Sequence, residues 1–117
     1  MQVIQIFGLK GSQATRAAER FFKERGVKIQ IIDLKQKAMA PGEIKRFIDK
    51  FSLQGLLDTE SKSYLDAGLK YLKVSDSELL TKIEDDPKLL RAPLVRGPNL
   101  ISIGHDEASW KSMLTKT

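Results

Sequence analysis

The residues that could do chemistry lie close to the start of the chain, in the stretch FGLKGSQATRAAERFF, Phe7 to Phe22. A short loop with two glycines, Gly8 and Gly11, ends at Ser12 and opens a helix. The free N–H groups and the dipole at a helix start attract negative charge. The backbone of residues 12–15, with Lys10 and Gly11 before it and Arg16 one turn in, is therefore a candidate contact for an anion or small substrate. Ser12 also fits, and better, the role of a helix N-cap, in which its hydroxyl accepts a backbone N–H. Serine nucleophilic catalysis is a third chemistry. It would need Ser12, the single histidine His105 and an orienting acid in one cluster, and adjacency of His105 and Asp106 in sequence does not supply that geometry. No residues have metal-ligand spacing, and the glycine loop lacks the spacing and the Lys-Ser/Thr of a phosphate-binding Walker loop.

Composition limits the chemistry further. The 117 residues hold no cysteine, so a disulfide, a thiolate metal site and a cysteine nucleophile are all excluded. Twenty Lys and Arg against fifteen Asp and Glu give a net charge of +5. No concentrated basic run or interleaved aromatic platform accompanies that excess, so direct nucleic-acid binding is not expected. Apolar runs are only a few residues long, too short to span a membrane. The start, MQVIQIFG, lacks the basic region and long apolar segment of a signal peptide, and a cytoplasmic location is the expectation.

The elements that must position the loop follow from periodicity. Residues 2–7, dense in Val3, Ile4, Ile6 and Phe7, predict a strand buried on both faces. Ala14, Ala17, Ala18, Phe21 and Phe22 form one helical stripe, stopped at Gly26. Residues 27–33 alternate through Val27, Ile29 and Ile31, giving β-α-β with parallel strands. The middle is helical. Pro41 opens a helix carrying Ile44, Phe47, Ile48 and Phe51; residues 61–73 predict another around Tyr64, Leu65 and Leu69; and Ser75 to Glu78 read as a capping box before Leu79, Leu80 and Ile83. A short turn of helix starts at Pro87. Residues 93–95 and 100–103 flank the turn-rich RGPN and predict an antiparallel hairpin. Asp106 then caps a final helix burying Ala108, Trp110, Met113 and Leu114. The order is that of an α/β thioredoxin-like βαβ…ββα core, residues 1–117 as one domain, with a helical insertion between the second and third strands at about residues 41–91.

Three segments resemble the arsenate reductase family, which includes the bacterial Spx transcription regulators. FGLKGSQATRAAERFFKERGV resembles the family's opening: an aromatic residue, glycine, a short loop, the catalytic cysteine and the first helix. LLDTESKSYLDAGL (56–69) resembles LLNTRGTxYRxLGL, and LLRAPLVRGPNLISIGHDEASWKSML (89–114) resembles LLKRP, a hairpin, and GFDExxWxxLL. The resemblance implies the thioredoxin-like fold and a cis peptide before Pro93, with the backbone of Ala92 turned toward a peptide-like ligand. It also marks departures. The family's cysteine falls on Ser12, the arginine of its NTRG element on Glu60, and the arginine before its proline on Ala92; His105 sits near a further arginine position. The expectation is a family member without the redox cysteine, acting as a non-catalytic binding or regulatory protein. The alternative is an enzyme of the family that uses no thiol of its own, with glutathione supplying the thiol. No other cofactor is expected. The implied partners are a protein, RNA polymerase by analogy with Spx, or a small anion or thiol ligand.

Overall fold

The computed structural model describes residues 3–69, 71–98 and 100–115. The chain divides into two compact units, a sheet unit formed by residues 1–37 and 92–117 and a helical unit formed by residues 38–91.

In the sheet unit, β1 (Ile4–Gly8) runs into α1 (Gln13–Glu24), and the chain returns as β2 (Ile29–Asp33), parallel to β1. After the helical unit come β3 (Leu94–Arg96), β4 (Ile101–Ile103) and α5 (Glu107–Thr115). The sheet order is β2-β1-β3-β4, with β3 antiparallel to both β1 and β4. Its core gathers Ile4, Ile6, Ala18, Phe21, Phe22, Val95, Trp110 and Met113, with the Phe21 and Phe22 rings 5.5 Å and 6.1 Å from Trp110. The stop at Gly26 is a Schellman motif: Gly26 takes φ +70°, its N–H donates to Lys23 O, and that of Val27 donates to Phe22 O.

Three sequence expectations for the sheet unit shift. The first strand starts at Ile4, and Gln2 lies outside the described residues. The second starts at Ile29, with Val27 before it; as β2 is an edge strand, Ile31 stays 45% exposed despite its apolar alternation. Ala108 is exposed, because α5 buries the side carrying Trp110 and Met113. Asn99 of the hairpin turn lies outside the described residues.

The helical unit holds α2 (Pro41–Phe51), α3 (Lys62–Asp66) and α4 (Asp76–Asp85), with 3-10 turns at Gln54–Leu56 and Pro87–Leu89. Pro41 occupies the first turn of α2, and both halves of the Ser75–Glu78 capping box are present. The expected helix over 61–73 ends after five residues. Gly68 adopts φ +68°, and residues 71–74 are not helical before the cap at Ser75.

Candidate functional site

The first loop of the sheet unit is built by mutual satisfaction of its backbone. The Ser12 N–H donates to Leu9 O at 3.0 Å, closing a tight turn over Lys10 and Gly11. Ser12 is extended (φ −82°, ψ 122°), and its Oγ accepts the Thr15 N–H at 3.1 Å, the N-cap arrangement. Thr15 is 4% exposed, and its Oγ1 accepts the Leu9 N–H at 3.3 Å. Gly8 is what lets Thr15 sit there: a Cβ on residue 8 would come within 2.7 Å of the threonine Oγ1. Gly11 differs, since a Cβ there would meet nothing within 4 Å. Thr15 is the structural residue that sequence reading passed over, and Gly8 reads there only as a loop glycine. The signal was a β-branched residue in the first turn, just off the apolar stripe, facing a glycine at the strand end.

This arrangement reduces the donors expected at the helix start. Of the amides of residues 12–15, Ser12 and Thr15 are already engaged within the loop, which leaves Gln13 and Ala14. Lys10 and Arg16 are exposed on either side, and neither has an ion pair among the described residues. No acidic residue lies in the first turn of α1. The sheet unit as a whole carries eleven of the twenty Lys and Arg but five of the fifteen Asp and Glu, so the chain's positive excess belongs to it.

The sheet register brings the Ala92–Pro93 segment to the same edge. Phe7 pairs with Leu94, and the next step of that ladder sets Pro93 beside Gly8. The Ala92–Pro93 peptide is cis, Pro93 is buried, and its carbonyl accepts the Gly104 N–H at 3.0 Å. Among the described residues, the Ala92 N–H and C=O have no hydrogen-bond partner. Ala92 therefore offers a backbone donor and acceptor at the end of the sheet where the Ser12 loop begins.

His105 follows Gly104 at the same end of the sheet, but β4 is two strand positions from β1, roughly 10 Å across the sheet. Its Nε2 lies 3.3 Å from Glu107 Oε2 and its ring 5.1 Å from the Trp110 ring. Asp106 is occupied as a cap, accepting the Ser109 N–H and Oγ–H. With Ser12 engaged by Thr15 and His105 by Glu107, the Ser-His-acid cluster is not assembled. Glu60 belongs to the helical unit, where its N–H donates to Asp58 Oδ1 in an exposed turn ahead of α3. Among the described residues no group of His, Asp and Glu has the arrangement of a metal site, and no helix is long and apolar enough to cross a membrane.

A four-stranded mixed sheet with a β-α-β start, a β-β-α end and helices inserted between them defines a thioredoxin-like protein. Within that class the chain belongs to the ArsC family, whose model matches residues 7–113. Among characterised relatives, it is 22% identical over 116 residues to the global transcriptional regulator Spx 2 of Oceanobacillus iheyensis, covering 97% of this chain and 84% of that one. It is 26% identical over 107 residues to an arsenate reductase of Neisseria meningitidis serogroup A, covering 89% and 92%. Solved structures share the fold. An arsenate reductase from Vibrio cholerae superposes with TM-score 0.79 at 18% identity, covering 94% of this chain and 97% of the other. An arsenate reductase related protein from Brucella melitensis gives 0.66 at 14%, covering 97% and 96%. The chain has no cysteine.

Proposed function

We propose that this ArsC-family protein works by binding and not by thiol redox chemistry. The observation that carries the reading is the absence of cysteine, with Ser12 at the family's cysteine position spent as a helix cap. Reduction of arsenate or a disulfide by the family route begins with thiolate attack and ends with a sulfur intermediate being resolved. A serine hydroxyl is not appreciably ionised at neutral pH, the His105 of its own unit is engaged by Glu107, and it has no two-electron exit to a disulfide.

What remains at this edge is recognition. The open Ala92 peptide groups suit an extended peptide or a peptide thiol such as glutathione, which would pair with them as a short added strand. The Gln13 and Ala14 amides with Lys10 and Arg16 suit a small anionic group. The protein partner in this reading is RNA polymerase, in a regulatory role in the cytoplasm, and the likeness to the transcriptional regulator Spx 2 supports it.

Arsenate-dependent NADPH oxidation, coupled separately to glutathione with glutaredoxin and to thioredoxin, tests the reading. Wild type should give the no-protein rate in both assays, and Ser12→Ala should match it. Turnover above control that is lost in Ser12→Ala would overturn the binding reading. For the partner, purified bacterial RNA polymerase should retain wild type and retain Ser12→Trp less, because a large side chain there covers the loop. Equal retention of both would remove this edge from the interface.

A further inference from the structure

The segment that leaves helical geometry at Gly68 borders a half-open cavity, lined wholly by residues of the helical unit. After the left-handed turn at Gly68, Leu69 is buried (8% exposed), and the chain passes Leu72, Lys73 and Val74 before α4 begins. These residues, with Leu57, Leu79 and Gln54 opposite, line a space of about 350 Å³. A continuous helix over 61–73 would have directed these side chains along a helical stripe; the irregular path leaves room instead.

The lining combines aliphatic and polar surface in similar amounts. Leu57, Leu69 and Leu79 are all buried and form an aliphatic floor. Leu72 is 53% exposed while lining the cavity, so it marks the mouth. Nothing in the wall is acidic. Its one charge is Lys73, exposed and without an ion-pair partner among the described residues, and its one amide is Gln54. The size falls at the lower end of small-ligand sites, which run roughly 300–1,000 Å³. It equals about a dozen waters at roughly 30 Å³ each, enough for a short alkyl chain and its head group.

We propose that this cavity binds a single-chain anionic amphiphile of medium length, such as octanoate. The alkyl chain lies among Leu57, Leu69, Leu79 and Val74, and the carboxylate meets the Lys73 ammonium and the Gln54 amide at the mouth. An aliphatic floor selects the chain. A lone ammonium at its rim selects an anionic over a neutral head.

The test is a titration of the full-length protein with hexanoate, octanoate and octanol, all below micelle formation, followed by backbone amide shifts. Octanoate should give saturable shifts at Gln54, Leu57, Leu69, Leu72, Lys73 and Leu79. Each methylene should tighten binding about fourfold, so octanoate should bind about tenfold or more tighter than hexanoate. Octanol should bind more weakly than octanoate. Lys73→Gln should weaken octanoate while leaving octanol unchanged, and Val74→Phe should abolish both by filling the space. The amides of Lys45–Asp49 in α2, which do not line the cavity, should keep their positions in both variants, which reports that the helical unit is intact. Scattered or non-saturating shifts, indifference to chain length, or unchanged octanoate binding in Lys73→Gln would each overturn the proposal. None of these readouts depends on whether the sheet unit binds an anion, a thiol or a polymerase.

Discussion

The starts of α1 and α4 use the same hydrogen bond for different ends. Ser12 Oγ accepts the N–H of residue 15 at 3.1 Å, and Ser75 Oγ accepts the N–H of residue 78 at 3.2 Å. What differs is the side chain three residues on. At α4 it is Glu78, whose carboxylate turns back to the Ser75 N–H at 3.4 Å and its hydroxyl at 3.1 Å. With Asp76 beside it, that helix start carries its own negative charge and is complete in itself. At α1 it is Thr15, which turns inward to the Leu9 N–H and packs against Gly8. The first turn then has no acidic residue, and Lys10 and Arg16 stand exposed around it. One serine closes a structural helix end. The other fixes a loop and leaves the end electropositive.

Gly8→Ala should break that contrast most strongly, because it acts where α4 has no counterpart. The new Cβ would come within 2.7 Å of Thr15 Oγ1, and Thr15 is buried and held by the Leu9 N–H, so it cannot swing away. The expected loss is about 1–3 kcal/mol in urea unfolding. Thr15→Ala should cost about 1–2 kcal/mol by leaving the Leu9 N–H without its acceptor. The double variant should cost at least about 0.5 kcal/mol less than the sum, since removing the threonine side chain also removes the clash. Strict additivity would show that the two residues do not form one unit.

Much of this was legible from periodicity alone. The β-α-β start, the proline-led α2, the capping box and the hairpin each follow from local patterns that the packed structure retains. The failures lie where tertiary context decides. Ile31 reads as buried by alternation but is on an edge strand, and sheet order cannot be seen from one strand. The helix over 61–73 kept its apolar spacing up to Leu69, yet Gly68 at φ +68° ended it and turned the later leucines to a cavity wall. The loop after β1 was legible, and register sets the strand ends that precede Ser12 and His105, and the one that follows Pro93, at one end of the sheet. Its internal wiring was not. That the Ser12 hydroxyl goes to Thr15, and that His105 goes to Glu107, depends on side-chain directions that spacing does not encode.

Next in size is the loss of each cap. Ser12→Ala should destabilise by about 1 kcal/mol, the usual value for removing a serine N-cap. Ser75→Ala should cost about 1–2 kcal/mol, because it also releases Glu78 from the reciprocal half of the box. Both are read from urea midpoints at constant m. A Ser12→Ala loss within about 0.2 kcal/mol of zero would mean that the hydroxyl does not hold the helix start in solution, and the argument that it is spent as a cap would fail with it.

The smallest effect sharpens the comparison directly. Sulfate, added at constant ionic strength against chloride, should shift the Gln13 and Ala14 amides and leave those of Asp76 and Ser77 unmoved. The donors at Gln13 and Ala14 are the ones the α1 loop does not use, whereas at α4 the carboxylates of Asp76 and Glu78 oppose any incoming anion. Holding ionic strength fixed matters because surface charges are already screened over about 10 Å at 0.1 M salt, so a general screening response would move both helix starts alike. Arg16 contributes a single exposed charge near the helix end, worth about 0.3–1 kcal/mol, so Arg16→Gln should weaken the sulfate response about two- to fivefold without abolishing it. Matching shifts at both helix starts, or a response in Arg16→Gln equal to wild type, would show that the two ends are electrostatically equivalent and that the side chain after the serine does not decide what the helix end is for.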